Sequence, residues 1–167
     1  MNFSAKNNLP EELERVQLLE SLVIKYKIPE FTSGVMVEKG VIPHSHPILT
    51  MSTRKQSDLS VLKTLIHEQF HWWASDHPNK RRCFEYLKTK YEDDGEHNKS
   101  GKHPDSYWGH VIVCFNTRNY LRKILTEPEI EAIYEEAITY KTLEQKIADN
   151  FEHFKSELEP FGMVYND

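Results

Sequence analysis

Cysteine is scarce in this chain. Cys83 and Cys114 are the two present, they stand far apart, and they form no C-x-x-C pair. That excludes a disulfide framework and leaves two reduced, mostly buried thiols of an intracellular protein. No apolar run approaches the roughly 20 residues needed to span a membrane. The opening "MNFSAKNNLPEELERVQ" lacks the basic stretch and apolar run of a signal peptide. A soluble cytoplasmic protein without a membrane partner is therefore expected. An excess of positive charge is missing too: 21 Lys and Arg face 26 Asp and Glu, for a net charge of −5. This is not the electrostatic footprint of a nucleic-acid binder. The one basic stretch, "NKRRCFEYLKTK" (79 to 90), is interleaved with helix-spaced apolar residues and followed by "YEDDGE", which reads as a solvated helix face.

What the chain does have is aromatic bulk. Eight tyrosines, eight phenylalanines and three tryptophans in 167 residues supply the apolar bodies of a packed core. The length suits one domain over 1–167, and neither a repeat nor a linker divides it. Asn8, followed by an early proline and acids in "PEELERVQLLESLVIKY", predicts a capped helix that Ile28-Pro29 stops, with Leu13, Val16, Leu18, Leu22 and Val23 as its apolar set. Residues 31 to 53 are richer in β-branched side chains and punctuated by Gly34, Gly40, Pro43 and Pro47, predicting two or three short strands that end with "ILTMST". "KQSDLSVLKTLIHEQFHWWAS" reads as a helix capped by Ser57 or Asp58. A second helix is expected over about 79–91, then a charged loop, then a largely buried helix in "SYWGHVIVCFNTRNYLRKIL". Thr126 with Glu129 three residues on starts one long or two consecutive helices running to about Leu158. The expected fold class is α+β, mainly helical, with a small N-terminal antiparallel sheet beside the helix of residues 57–76.

That helix carries the chemistry. In "LIHEQFHW", His67 and His71 are four apart and project from one helix face, so both can reach one ion. Imidazole nitrogen suits zinc. Glu68 lies about 100 degrees round the helix, badly placed to share the ion but well placed to take a proton from a water on it. Leu62, Ile66, Phe70 and Trp73 form the buried stripe, and the histidines lie beside it at the core's edge.

At this point the chain resembles the zincins, the H-E-x-x-H metallopeptidases, over about residues 44 to 125. The resemblance implies that His67 and His71 are ligands to Zn2+, that Glu68 is the base, and that the strand in "HPILTMSTR" offers its edge to an extended substrate. The metzincin continuation H-E-x-x-H-x-x-G-x-x-H is not met, since Ala74 stands at the glycine place. A catalytic zinc usually has three protein ligands and one open position. His110, alone among apolar residues in "DSYWGHVIVCF", is the preferred third; Glu85, Glu92 or Glu96, and His97 or His103, are the alternatives. His44 and His46 in "PHSHP" read as solvent-exposed. Tyr107, one helical turn before His110, is the favoured oxyanion donor over His103 and Arg118. Asp105 and Glu127 are candidate acceptors for the ligands' second N–H groups.

The expected function is a zinc-dependent hydrolase, a peptidase acting on a peptide or protein substrate. Two other readings stay open: a zinc-stabilised domain without turnover, and a helical interaction protein working through its acidic C-terminal helix.

Overall fold

The computed structural model describes residues 1–91, 104–137 and 139–166, with the backbone alone at 104–106. Among these residues lie seven α-helices and three strands. They are β1 (Asn2–Ala5), α1 (Pro10–Tyr26), β2 (Gly34–Glu38), β3 (Leu49–Ser52), α2 (Asp58–Asp76), α3 (Lys80–Lys90), α4 (Pro104–Ile124), α5 (Glu127–Glu136), α6 (Lys141–Asp149) and α7 (Phe151–Leu158), closed by a 3-10 turn at Glu159–Phe161.

The fold is mainly helical, as expected, but the sheet is not antiparallel. Its order is β1-β2-β3 and both pairings are parallel, with Phe3 opposite Val35 and Met36 opposite Thr50. The reason is the connections. β1, in a stretch too short and polar to read as a strand, reaches β2 through α1, and a crossover helix returns the chain in the same direction. Residues 39–48 do the same for β3 without a helix: His44 makes an antiparallel bridge to Thr50 as the chain comes back. All four β3 residues are buried, whereas β2 alternates. Continuous burial marks a strand covered on both faces.

α1 does not start on an Asn8 cap. Asn8 adopts a left-handed conformation (φ 55°), Leu9 is the capping residue, and the buried Glu12 carboxylate accepts from the amides of Asn7, Leu9 and Lys39. The buried side of α1 is accordingly Glu12, Arg15, Leu19 and Leu22, while Leu13 faces solvent. α2 begins as read, with Ser57 Oγ accepting from the Ser60 amide at 3.2 Å. Glu136 of α5 takes the Ser57 amide at 3.0 Å and the Ser57 hydroxyl at 2.6 Å, which ties α5 to the start of α2. The Thr126 amide donates to Glu129 at 2.8 Å, as that motif predicts. Beyond it the chain forms three short helices rather than one or two, because Tyr140 turns left-handed (φ 55°) and Asn150 breaks the next.

α2 packs chiefly against α4; Leu62, Leu65, Ile66 and Phe70 on the one helix and Ile112, Phe115 and Leu121 on the other are all essentially without exposure. Phe70 also centres an aromatic cluster with Phe31, Trp73, Tyr120 and Tyr165, ring centroids 5.4–6.3 Å apart. No helix among the described residues is long and apolar enough to cross a membrane. Truncating a fully buried ring costs about 3–5 kcal/mol. Phe70→Ala is expected to lose that much in urea unfolding of chelator-treated protein; a loss below about 1 kcal/mol would mean that the cluster does not anchor α2.

Candidate metal centre

The Nε2 atoms of His67 and His71 are 3.3 Å apart. Two nitrogens bound to one tetrahedral zinc at about 2.0–2.1 Å lie roughly 3.3–3.4 Å from each other, so the pair is already at ligand spacing. α4 contributes His110 from the turn facing α2. Its ring centroid is 4.8 Å from that of His71 and 5.7 Å from that of His67. One donor nitrogen from each of the three rings lies within 4.8 Å of the others. His110 is held there because Val111, Ile112, Cys114 and Phe115 around it are core residues, which leaves the helix little freedom to turn.

Burial decides the protonation of the cluster. Desolvation, reinforced by the neighbouring histidines, pushes His67 well below the usual imidazole range and His71 down to about 3. Both rings are therefore neutral at pH 7, the form that ligates a metal. Glu68 is 7% exposed, and the same desolvation raises its carboxyl to about 7, with Lys63 opposing in part. A carboxyl at that value is matched to proton transfer near neutral pH.

The histidines and Glu68 stand on the floor of a cleft of about 710 Å3. One wall is the 40–45 segment of the β2–β3 connection, fixed to α2 by Trp72, which donates to the Ser45 carbonyl at 2.8 Å and stacks on His46 at 4.3 Å. The opposite wall comes from the end of α5 and from Tyr140, whose ring stacks on His110 at 4.1 Å. Ser52, at the end of β3, also lines the cleft. The remainder of that outer edge is partly taken, since Thr50 exchanges both backbone hydrogen bonds with His44.

Other residues singled out in the sequence fall elsewhere. Tyr107 is buried, edge-on to Trp108 at 4.9 Å, and does not line the cleft; the tyrosine that does is Tyr140. Arg118 lies against the Tyr134 ring and lines a second, smaller cavity. Glu85 pairs with Arg81 on the exposed side of α3, and Glu127 is exposed at the start of α5. His44 and His46 are exposed. Glu92, Glu96, His97 and His103, and the Asp105 side chain, lie outside the described residues. His77 follows the end of α2, which runs on through Ala74 to Asp76; its ring meets Trp73 and its Nδ1 accepts from the Asn79 amide.

Behind the histidines lies a carboxylate that spacing could not have found. Glu144 of α6 is 2% exposed, and it groups with His67 and Cys114, one possible donor atom from each within 4.8 Å. Lys63, one turn before His67, pairs with it at 3.1 Å. No family model, curated protein or solved structure matches this chain.

The pKa directions fix the sign of a pH effect on the metal-free protein. Unfolded histidines protonate near 6.5, whereas folded His67 and His71 resist, so stability is full above 6.5 and falls on acidification towards 3. Glu68 acts oppositely, stabilising below about 4.5 and losing that contribution as pH rises through about 7. Two groups outweigh one. Thermal melts in chelator are expected to show a falling midpoint from pH 6.5 to 5, and the double variant His67→Asn, His71→Asn should flatten that slope; an unchanged slope would contradict the assignment.

Proposed function

We propose that the protein is a zinc-dependent hydrolase, a peptidase, that His67, His71 and His110 hold its metal, and that Glu68 is its general base. The observation that carries this reading is the 3.3 Å separation of two neutral imidazole nitrogens beside a third, with a raised carboxyl next to them in an open cleft. Three imidazole ligands suit zinc and, being uncharged when bound, would leave the ion its full charge. A zinc ion held there supplies Lewis-acid polarisation of a carbonyl and a bound water that ionises near pH 7.

The chain's own groups supply the rest. Glu68 accepts a proton from the attacking water and returns it to the leaving amine, which its elevated pKa favours in both directions. Tyr140, on the cleft wall against His110, is the candidate donor to the developing oxyanion, in place of Tyr107. Because His44 already occupies Thr50, an extended substrate has the Ser52 end of β3 for backbone pairing, and the 40–45 wall for side-chain contact. The buried, unpaired Cys83 and Cys114 suit a reducing compartment, so the cytoplasm is the proposed location.

Metal analysis of purified protein should give one zinc per chain, lost in His67→Ala or His71→Ala. Glu68→Gln separates a hydrolase from a zinc-stabilised scaffold. It is expected to keep the zinc and to lose peptide hydrolysis by at least about 100-fold. Undiminished turnover would remove Glu68 from the mechanism. Zinc binding by a wild type that cleaves none of a broad peptide library would favour the scaffold. Tyr140→Phe should lower kcat by about 10- to 1000-fold with KM little changed if the hydroxyl serves the oxyanion.

A further inference from the structure

His67 uses one ring nitrogen towards His71; the other, Nδ1, is buried and has no hydrogen-bond partner. Buried polar atoms without a partner are rare, and a ring nitrogen so placed asks for one. Glu144 presents the complement. Both of its oxygens are buried and neither has a hydrogen bond of good geometry, although Lys63 Nζ stands 3.1 Å from Oε1 and the Cys114 thiol and Tyr134 hydroxyl face the same carboxylate. Its carboxylate belongs to the group that brings His67, Cys114 and Glu144 donor atoms within 4.8 Å. A neutral imidazole carries its proton on one nitrogen only, so the nitrogen that ligates a metal dictates that the other is the N–H.

We propose that Glu144 is a positioning residue for His67: it accepts the Nδ1–H, fixing the tautomer that leaves Nε2 free for the metal. This rests on the metal-centre reading above. The device belongs to α6 as a unit. Tyr140 caps this helix, and the Glu144 amide donates to the Tyr140 carbonyl at 2.8 Å. One short helix thus sets a ring against His110 and a carboxylate behind His67. Lys63 keeps the carboxylate in place from the α2 side, at the position four before His67. Cys114 shares the second group, but desolvation holds its thiol well above the usual range, which makes it a poor ligand beside the histidines.

Zinc affinity of the full-length protein, measured by competition with a chromogenic chelator, is expected to fall about 10- to 100-fold in Glu144→Leu. Glu144→Gln, whose amide oxygen still accepts, should lose less. Nitrogen-15 spectra of zinc-loaded wild type should show His67 protonated at Nδ1 with a strongly downfield proton, which moves upfield in Glu144→Gln. If either variant fails to fold, the wild-type spectrum alone decides. Unchanged affinity in both variants, or a His67 protonated at Nε2, overturns the proposal and leaves the metal centre standing. A sulfur-to-metal charge-transfer band in cobalt-loaded wild type also overturns it, because Cys114 would then be a ligand. A wild type that binds no zinc overturns the metal centre itself.

Discussion

Three imidazoles brought within 4.8 Å of one another, at the edge of an apolar core, cannot all be positively charged. Everything else at the site follows from that constraint. Charge on one ring raises the cost of charge on the next, and burial adds its own penalty at His67 and His71, which stay neutral. Neutral rings in turn need partners for every buried nitrogen. Such a cluster is costly in an apoprotein unless something else satisfies it, and a divalent cation does so with one ion for three lone pairs.

What enforces the convergence is ordinary packing. α2 and α4 meet through a close-packed seam in which Ile66, Phe70, Ile112 and Phe115 admit no slack. His67 and His71 each follow a seam residue by one position on α2, and His110 precedes Ile112 by two on α4. A register set by apolar side chains therefore fixes the donor geometry as well. The small sheet contributes no candidate ligand. Its part is to carry the 39–48 connection to the cleft, where the stacking of His46 on Trp72 and the Trp72–Ser45 hydrogen bond hold it against α2. The two cleft walls thus belong to different parts of the chain, one hung from the sheet and one from the break between α5 and α6.

Which features could be read in the sequence follows from the same division. The 3.6-residue period makes His67, Glu68 and His71 neighbours whatever the rest of the fold does, and His110 declared itself as a polar residue inside an apolar helix. Capping chemistry at Ser57 and Thr126 is equally local. The sheet direction was not legible, because it depends on β1, four residues whose pairing to β2 skips the whole of α1. α1 itself misled for a related reason: the buried Glu12 serves, besides the nearby amides of Asn7 and Leu9, the Lys39 amide 27 residues away, a demand no local pattern records. Tyr140 and Glu144 were hidden in the same way. Their i, i+4 spacing is visible, but its meaning comes from a left-handed break that swings α6 back onto α4.

Lys63 explains why the site can hold two buried glutamates with different behaviour. It pairs with Glu144 at 3.1 Å, behind the histidines. Glu68, on the cleft side, has no ion pair among the described residues, and the same ammonium only partly offsets the desolvation that raises its carboxyl to about 7. One carboxylate is therefore committed to a cation that the chain provides, and the other is left wanting one. An ion-paired carboxylate suits a structural acceptor, whereas a desolvated carboxyl without an ion pair suits a group that exchanges a proton. The asymmetry is built into α2 alone: Lys63, the two candidate ligands His67 and His71, and the desolvated Glu68 lie along little more than two turns of helix. α4 and α6 then only need to close on that face.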